Sequence, residues 1–465
     1  MITLEGDSVL LRQESIVAVK ATDEILDVLR INSSRFYALS FLMSLTWMIG
    51  AMVLLSTAFT ASECANCTML TVNQEFPDDV SLLTWRTSFF MLGMMCGAIV
   101  MPMSADHYGR RPIWLVCLIG VAAASGFCAM SHSVVQFCVF RWFQGFFWVG
   151  ASLVSWVAGY ELAPPKLRAV VTLLYGLTWV VGYCLVAPLA MIVSTWREFY
   201  ALIASLVPLY AFLIFLNVPE TLHFLIVKRR ARKAQRWIAH VDPTFPGTFD
   251  IPGLIQASQR KHKRPFLEEV LRHKEFIGYW LVQVFMWMTD TFTYFGLSLN
   301  STQLDGNPYA NFVLLGVVEL PSYIFCPYAN DYFGRKPTLI VSHISSGVLF
   351  IIAYFVQDRN RLIYIACWIL GKFAISFSFM SLFVYTSEMF PSSIRNGAVG
   401  MCSVFAKIGG ILIPYMKLMG LISEDILLIF LCVTAIAAGL LVIFLPETKN
   451  RLLPDTVEDE FENQS

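Results

Sequence analysis

Twelve apolar runs, each close to the roughly 20 residues an α-helix needs to cross a bilayer core, dominate the chain. They fall at 36–58, 85–105, 113–130, 134–157, 168–190, 197–217, 276–298, 309–329, 337–356, 361–384, 396–418 and 424–445. None shows the strict alternation of a barrel strand. Backbone groups in lipid must satisfy their own hydrogen bonds, so each run is predicted to be a helix. Six runs precede and six follow the longest polar segment. The expected organisation is an N-terminal segment 1–35, a six-helix bundle 36–217, a linker 218–275, a second bundle 276–445 and a tail 446–465. Only 14% of the 465 residues are charged, against about 25% in soluble proteins, which supports an all-α membrane protein.

Three polar signals occur twice in the same order. Asp106-His107-Tyr108-Gly109-Arg110-Arg111-Pro112 returns as Asp331-Tyr332-Phe333-Gly334-Arg335-Lys336-Pro337. Glu161, Pro164 and Arg168 return as Glu388, Pro391 and Arg395, and Pro219-Glu220-Thr221 returns as Pro446-Glu447-Thr448. The last two motifs share one offset in the numbering, and the first differs from it only slightly. A near-constant offset implies two copies of one unit. Parallel repeats of membrane helices are the construction of transporters.

Charge placement sets the orientation. Segment 227–275 carries twelve Lys and Arg residues, whereas 59–84 has none and four acids. Basic segments stay cytoplasmic, so both termini are expected in the cytoplasm and 59–84 on the opposite side. Met1–Gln13 lacks the apolar core of a secretory signal. Two sequons fall on the outer side, at Asn66 and Asn300. Cys64 and Cys67, in the same outer loop, read either as a short disulfide or as two free thiols. The other nine cysteines read as small packing residues. Thr22-Asp23-Glu24 before Ile25, Leu26, Val28 and Leu29 predicts a short amphipathic helix on the cytoplasmic surface.

Several classes are excluded. Zero net charge gives no basis for a nucleic-acid partner. Enzyme signatures, a Walker A loop and a dinucleotide fingerprint are missing from the sequence. The seven histidines show no ligand spacing, so no metal and no cofactor is implied.

The residues resemble the major facilitator superfamily, and within it the organic cation, organic anion and carnitine transporters of solute carrier family 22. Thr71-Val72-Asn73-Gln74-Glu75-Phe76, Tyr294-Phe295-Gly296-Leu297-Ser298-Leu299-Asn300, Val318-Glu319-Leu320-Pro321, Gly371-Lys372-Phe373 and Tyr385-Thr386-Ser387-Glu388-Met389-Phe390-Pro391 carry the likeness. Two features depart from it: an outer loop of only about 26 residues, and Pro102 where the family has glycine. The resemblance implies twelve helices in two pseudosymmetric bundles, the major facilitator fold, in the plasma membrane. It also implies that Asp106, Gly109, Arg110, Arg111, Glu161, Arg168, Asp331, Gly334, Arg335, Glu388 and Arg395 form a cytoplasmic charge relay that locks one state. Glu161 with Arg168, and Glu388 with Arg395, are the expected partners.

A charge inside a span costs a few kcal/mol and is a functional candidate by default. Arg141, Asp290, Glu319, Lys372 and Lys407 are such charges. By resemblance, the position of Lys407 is acidic in cation carriers and basic in anion and carnitine carriers, so lysine favours an anion or zwitterion. Lys407 is expected to contact substrate, to be neutralised by Asp290, or both, since substrate could displace the acid. Aromatic residues crowd the fourth and seventh spans, and Tyr294 matches a tyrosine of the family's substrate site. The expected function is alternating-access transport of small organic ions, anions or zwitterions such as carnitine preferred. The alternatives are an organic cation carrier, a proton-coupled sugar or nutrient carrier, and a transport-inactive scaffold.

Overall fold

The computed structural model describes residues 16–17, 22–29, 33–60, 69–77, 85–242, 248–249, 251–253, 274–390, 395–416 and 424–449. The first six long helices are α1 (Ser33–Leu55), α2 (Arg86–Tyr108), α3 (Arg110–Ala129), α4 (Val134–Leu162), α5 (Arg168–Ile192) and α6 (Trp196–Asn217). The second six are α7 (Lys274–Asn300), α8 (Pro308–Val317, resumed as Glu319–Phe333), α9 (Arg335–Val356), α10 (Arg361–Met389), α11 (Arg395–Ile411) and α12 (Glu424–Leu441). Among the described residues, eleven spans are long and apolar enough to cross a membrane. The twelfth, α7, has the length, 27 residues, but carries Gln283, Asp290 and three threonines between residues 289 and 293.

Helix ends follow local chemistry. Ser133 caps α4 by accepting from Gln136 N, and Asn360, its counterpart in the second copy, caps α10 by accepting from Leu362 N and Ile363 N. Both helices run past the apolar runs, to Leu162 and Met389, because the acids in their last turns have ion-pair partners.

Packing repeats with the sequence. α2 packs on α4, α3 on α4, α1 on α5 and α3 on α6; six helices later α8 packs on α10, α9 on α10, α7 on α11 and α9 on α12. Glycine permits the closest of these approaches. A Cβ at Gly182 would stand 2.2 Å from Met48 O, and one at Gly409 would stand 2.2 Å from Met288 O. The two glycines are separated by the same offset as the repeated glutamates Glu161 and Glu388, so the duplicated unit includes this α1–α5 and α7–α11 contact.

One face of the bundle holds all the repeated charged loops, and it is called the motif face here; the opposite one is the far face. On the motif face lies the short helix Thr22–Val28 expected from the sequence. Ile25 and Leu26 pack against Leu222, Phe224 and Leu225 of the linker, with Ala234, Ile238 and Ile251. Burial against the first linker helices covers Ile25, Leu26 and Leu29 and leaves Val28 exposed.

The two sets of helices meet toward the far face. Ser88 Oγ on α2 donates to Ile411 O on α11 at 2.6 Å. Phe59, just beyond α1, stacks on Tyr309 of α8 with centroids 5.1 Å apart. Tyr183 on α5 packs on Phe312 at 4.6 Å. The cross-half contacts run down to mid-depth, where Gly176 meets the Tyr323 ring.

Candidate functional site

The relay is built twice on the motif face. Gly109 (φ +123°) and Gly334 (φ +101°) take backbone conformations that favour glycine and join α2 to α3 and α8 to α9. Arg110 then reaches Glu161 on α4 through two hydrogen bonds, at 3.2 and 3.1 Å, and Asp106 at 2.9 Å. In the second copy Arg335 reaches Glu388 on α10 at 2.9 Å and Asp331 at 3.5 Å. The expected pair of Glu161 with Arg168 is therefore corrected. Glu161 is taken by Arg110 and by Thr221 Oγ1 (2.6 Å), and Glu388 by Arg335 and Thr448 Oγ1 (2.7 Å). The Arg168 guanidinium lies over the Tyr160 ring at 4.7 Å. The Arg395 side chain lies outside the described residues. Arg111 donates to Phe215 O.

The third repeated motif holds the centre of each relay. Glu220 Oε1 accepts from the backbone N–H groups of Arg110 (3.0 Å) and Thr221 (3.1 Å). Glu447 accepts from Arg335 N and Lys336 N, both at 3.1 Å, and from Thr448 N at 2.9 Å. A carboxylate therefore caps the start of α3 and of α9, where orphan N–H groups and the helix dipole favour negative charge. The acids replace a side-chain cap that glycine cannot supply. This role of the Pro-Glu-Thr repeat was missed in the sequence, although the offset it shares with Glu161 and Glu388 was the available signal.

A second polar cluster lies at mid-depth in the second six helices. Lys372 Nζ on α10 is 3.0 Å from Glu319 Oε1 on α8, and both side chains are fully buried. The ammonium also donates to Ser298 Oγ (2.7 Å) and Tyr294 O (3.2 Å). Tyr294 OH on α7 donates to Glu319 Oε2 at 2.8 Å and accepts from Trp179 Nε1 on α5, also at 2.8 Å. An unbroken chain of bonds thus runs from α5 of one set to α7, α8 and α10 of the other. Behind Trp179 stand Trp47, Trp156 and Tyr175 in mutual ring contact.

Asp290 on α7 is bound elsewhere. Its Oδ1 is 3.1 Å from His343 Nε2 on α9, and its Oδ2 accepts from Ser378 Oγ on α10 at 3.0 Å. The alternative in which Asp290 neutralises Lys407 is not the arrangement found. His343 was missed because only Lys, Arg, Asp and Glu were counted inside spans; a histidine within an apolar run was the available signal.

Lys407 is partly exposed. Among the described residues no hydrogen bond or ion pair engages it, whereas Lys372, Asp290 and Glu319 are all paired. Gly410 and Ile411, three and four residues on, face α2 through Met91 and Ser88. Lys407 shares that helical face one turn nearer the motif face, so it borders the seam between the sets. Arg141 is buried and sits apart from this cluster. It donates to Val53 O, Thr57 Oγ1 and Gln144 Oε1, and covers the Phe90 ring at 4.3 Å. These bonds tie α4 to α1 within the first set.

On the far face, Asn300 Nδ2 donates to Gly296 O at 2.9 Å, and the Thr302 hydroxyl of its sequon is buried and donates to Ala58 O at 3.2 Å. Asn66, Cys64 and Cys67 lie outside the described residues. Among the described residues no group of three His, Cys, Asp or Glu side chains could hold a metal ion.

Comparison with known proteins agrees with this architecture. The family described as "Sugar (and other) transporter" matches residues 41–459. "Putative transporter B0252.3" of Caenorhabditis elegans is 34% identical over 94% of this chain and 91% of its own length. "Solute carrier family 22 member 6-A" of Xenopus laevis is 30% identical over 80% of this chain and 68% of its own length. Among solved structures, the xylose transporter XylE of E. coli superposes with a TM-score of 0.69 at 16% identity, covering 90% of this chain and 98% of that one. The chain therefore belongs to the sugar (and other) transporter family of the major facilitator superfamily, a multi-pass membrane transporter with relatives in solute carrier family 22.

Proposed function

We propose that this transporter carries small organic ions, anions or zwitterions such as carnitine in preference to cations. The observation that carries the reading is Lys407. Among the described residues it is a cation at the seam between the two sets with no partner, while the acids that would attract a cation are already occupied. A charge-assisted hydrogen bond to a carboxylate is worth about 1.5–3 kcal/mol. The Trp47, Trp156 and Trp179 group supplies apolar surface for the rest of an amphipathic ion.

The motif face is read as cytoplasmic, because Lys228, Arg229, Arg230, Arg232, Lys233 and Arg236 follow α6 there. Contacts that run from the far face to mid-depth then describe a carrier closed to the outside and poised to open inward. Substrate binding at the seam would favour one packing of the sets over the other. The plasma membrane is the proposed location, with both termini in the cytoplasm, and Asn66 is the proposed glycan acceptor.

The test is uptake of labelled aromatic carboxylates, carnitine, quaternary ammonium compounds and hexoses by cells expressing the chain. Anion or carnitine uptake is expected, with kcat/KM lowered about 10- to 100-fold in Lys407→Ala and largely kept in Lys407→Arg. Normal anion uptake by Lys407→Ala sinks the contact role. Uptake confined to cations sinks the substrate class.

A further inference from the structure

Two seams join the sets near the far face, and the duplication relates them residue by residue. At the first, a Cβ on Gly410 of α11 would stand 2.7 Å from Met91 Sδ of α2, and Ser88 Oγ donates to Ile411 O at 2.6 Å. At the second, a Cβ on Gly316 of α8 would stand 2.6 Å from the Tyr183 ring of α5, and Cys184 Sγ lies 3.9 Å from Val313 O. The offset between Asp106 and Asp331 carries Ser88 onto Val313 and Met91 onto Gly316. The offset between Glu161 and Glu388 carries Tyr183 onto Gly410 and Cys184 onto Ile411. The seams are thus copies of one contact, with the large and small partners exchanged. They differ in the helix behind them. α2 runs unbroken from Arg86 to Tyr108, whereas α8 ends at Val317 and resumes at Glu319. Pro321 is the reason: it lacks the N–H that Val317 O would accept, and its ring crowds that carbonyl. The motif offset carries Pro327 onto Pro102 but carries Pro321 onto Cys96, so this proline has no counterpart in the first copy.

We propose that Pro308–Val317 is a gate hinged at Val318, by which the seam between α5 and α8 opens at the far face while the seam between α2 and α11 stays closed. The two pieces of α8 belong to different bodies. Pro308–Val317 packs mainly on α5 of the opposite set and only lightly on α7 and α10, whereas Glu319–Phe333 packs mainly on α10. Tyr309 and Phe312 meet the Phe59 ring at 5.1 and 5.0 Å, and Phe312 meets Tyr183 at 4.6 Å. Beyond the break each turn is pinned to α10. Glu319 pairs with Lys372 at 3.0 Å, and Ser322 Oγ donates to Phe373 O at 3.3 Å. Cys326 Sγ donates to Phe377 O at 3.5 Å, and Ser381 Oγ donates to Asn330 Oδ1 at 2.7 Å.

The bonds at the two seams point the same way. A hydroxyl holds α2 to α11 at 2.6 Å, whereas a thiol, a weak donor, faces α8 at 3.9 Å. Bending at Val318 breaks no bond from Pro321 to Val317, because proline cannot make one. The bonds of Glu319 with Lys372 and with Tyr294 lie on the pinned side of the break and are kept through the swing. Substrate at the far face then passes between α5 and the hinged piece of α8. The gate rests on the chain being a carrier and not on which ion it carries.

The test is labelling of the detergent-purified full chain by a charged maleimide, read cysteine by cysteine by peptide mass spectrometry. Cys184 is half-buried and reports the seam between α5 and α8. Ile411→Cys places a thiol at the counterpart position of the seam between α2 and α11. Pro321→Ala restores the missing N–H. It is expected to slow labelling at Cys184 about tenfold and to leave the thiol of Ile411→Cys within about twofold. Pro327→Ala, at a position where both copies carry proline, should change neither rate. Equal slowing at both thiols, no slowing at Cys184, or the same slowing in Pro327→Ala overturns the hinge. Hydrogen exchange of the native chain decides the matter if Pro321→Ala does not fold. A ten-residue helix is marginal once unpacked, so Phe312–Val317 should exchange about tenfold faster than its counterpart Thr87–Leu92. Equal protection of the two stretches overturns the gate.

Discussion

Neutralising one member of the Glu319–Lys372 pair should destabilise the second six helices far more than neutralising both. Both side chains are fully buried at 3.0 Å. Removing one partner leaves an uncompensated buried charge, which costs about 3–5 kcal/mol. The structure sets the order of the two singles. In Glu319→Gln the Lys372 ammonium keeps two acceptors, Ser298 Oγ and Tyr294 O. In Lys372→Met the Glu319 carboxylate keeps one donor, Tyr294 OH. Lys372→Met is therefore the more damaging change. At about 2–4 °C per kcal/mol for a unit of this size, each single should lower the unfolding midpoint by about 6–20 °C. The double variant should lie within about 2 kcal/mol of native, giving a coupling energy of about 3 kcal/mol or more. Tryptophan-fluorescence melting of the four purified proteins in detergent measures this directly. A double variant as unstable as the two singles added together would refute a buried ion pair as the source.

Two further perturbations test the caps and the far face. Glu220→Ala and Glu447→Ala each remove a carboxylate that caps a glycine-started helix; each should cost about 1–2 kcal/mol of unfolding stability, alike to within about 1 kcal/mol, and clearly unequal losses would show that the copies are not equivalent. Burial raises the Glu75 carboxyl, but hydrogen bonds from Arg197 and Trp196 and the charge of Arg197 outweigh it and hold the group below its ordinary value. Its contribution is therefore present above the usual glutamate range and is lost as pH falls below about 4. Hydrogen exchange of the segment Leu70–Phe76 should accelerate in that range in native protein and not in Glu75→Gln; equal acid sensitivity of the two would remove Glu75 as the cause.

Much of the architecture was legible in the amino-acid order. Span length and apolarity determine helices, because a backbone in lipid has no partner but itself. The repeated motifs, at a near-constant offset, determine that two sets pack alike, and the pairings of α1 with α5 and α7 with α11 obey that spacing down to Gly182 and Gly409. Which charges could matter was also readable, since Asp290, Glu319, Lys372 and Lys407 stand out against apolar surroundings.

Which charges meet was decided only by the tertiary structure. Glu161 pairs with Arg110, far off in the sequence, in preference to nearby Arg168, and Asp290 pairs with His343 in preference to Lys407. Sequence spacing specifies neighbours on one helix, three or four residues apart. It does not specify which faces of separate helices come within hydrogen-bond distance, and a buried charge takes the partner that packing brings there. Lys407 is left without a described partner for the same reason: packing brings no acid to its face of α11, which borders the seam between the two sets.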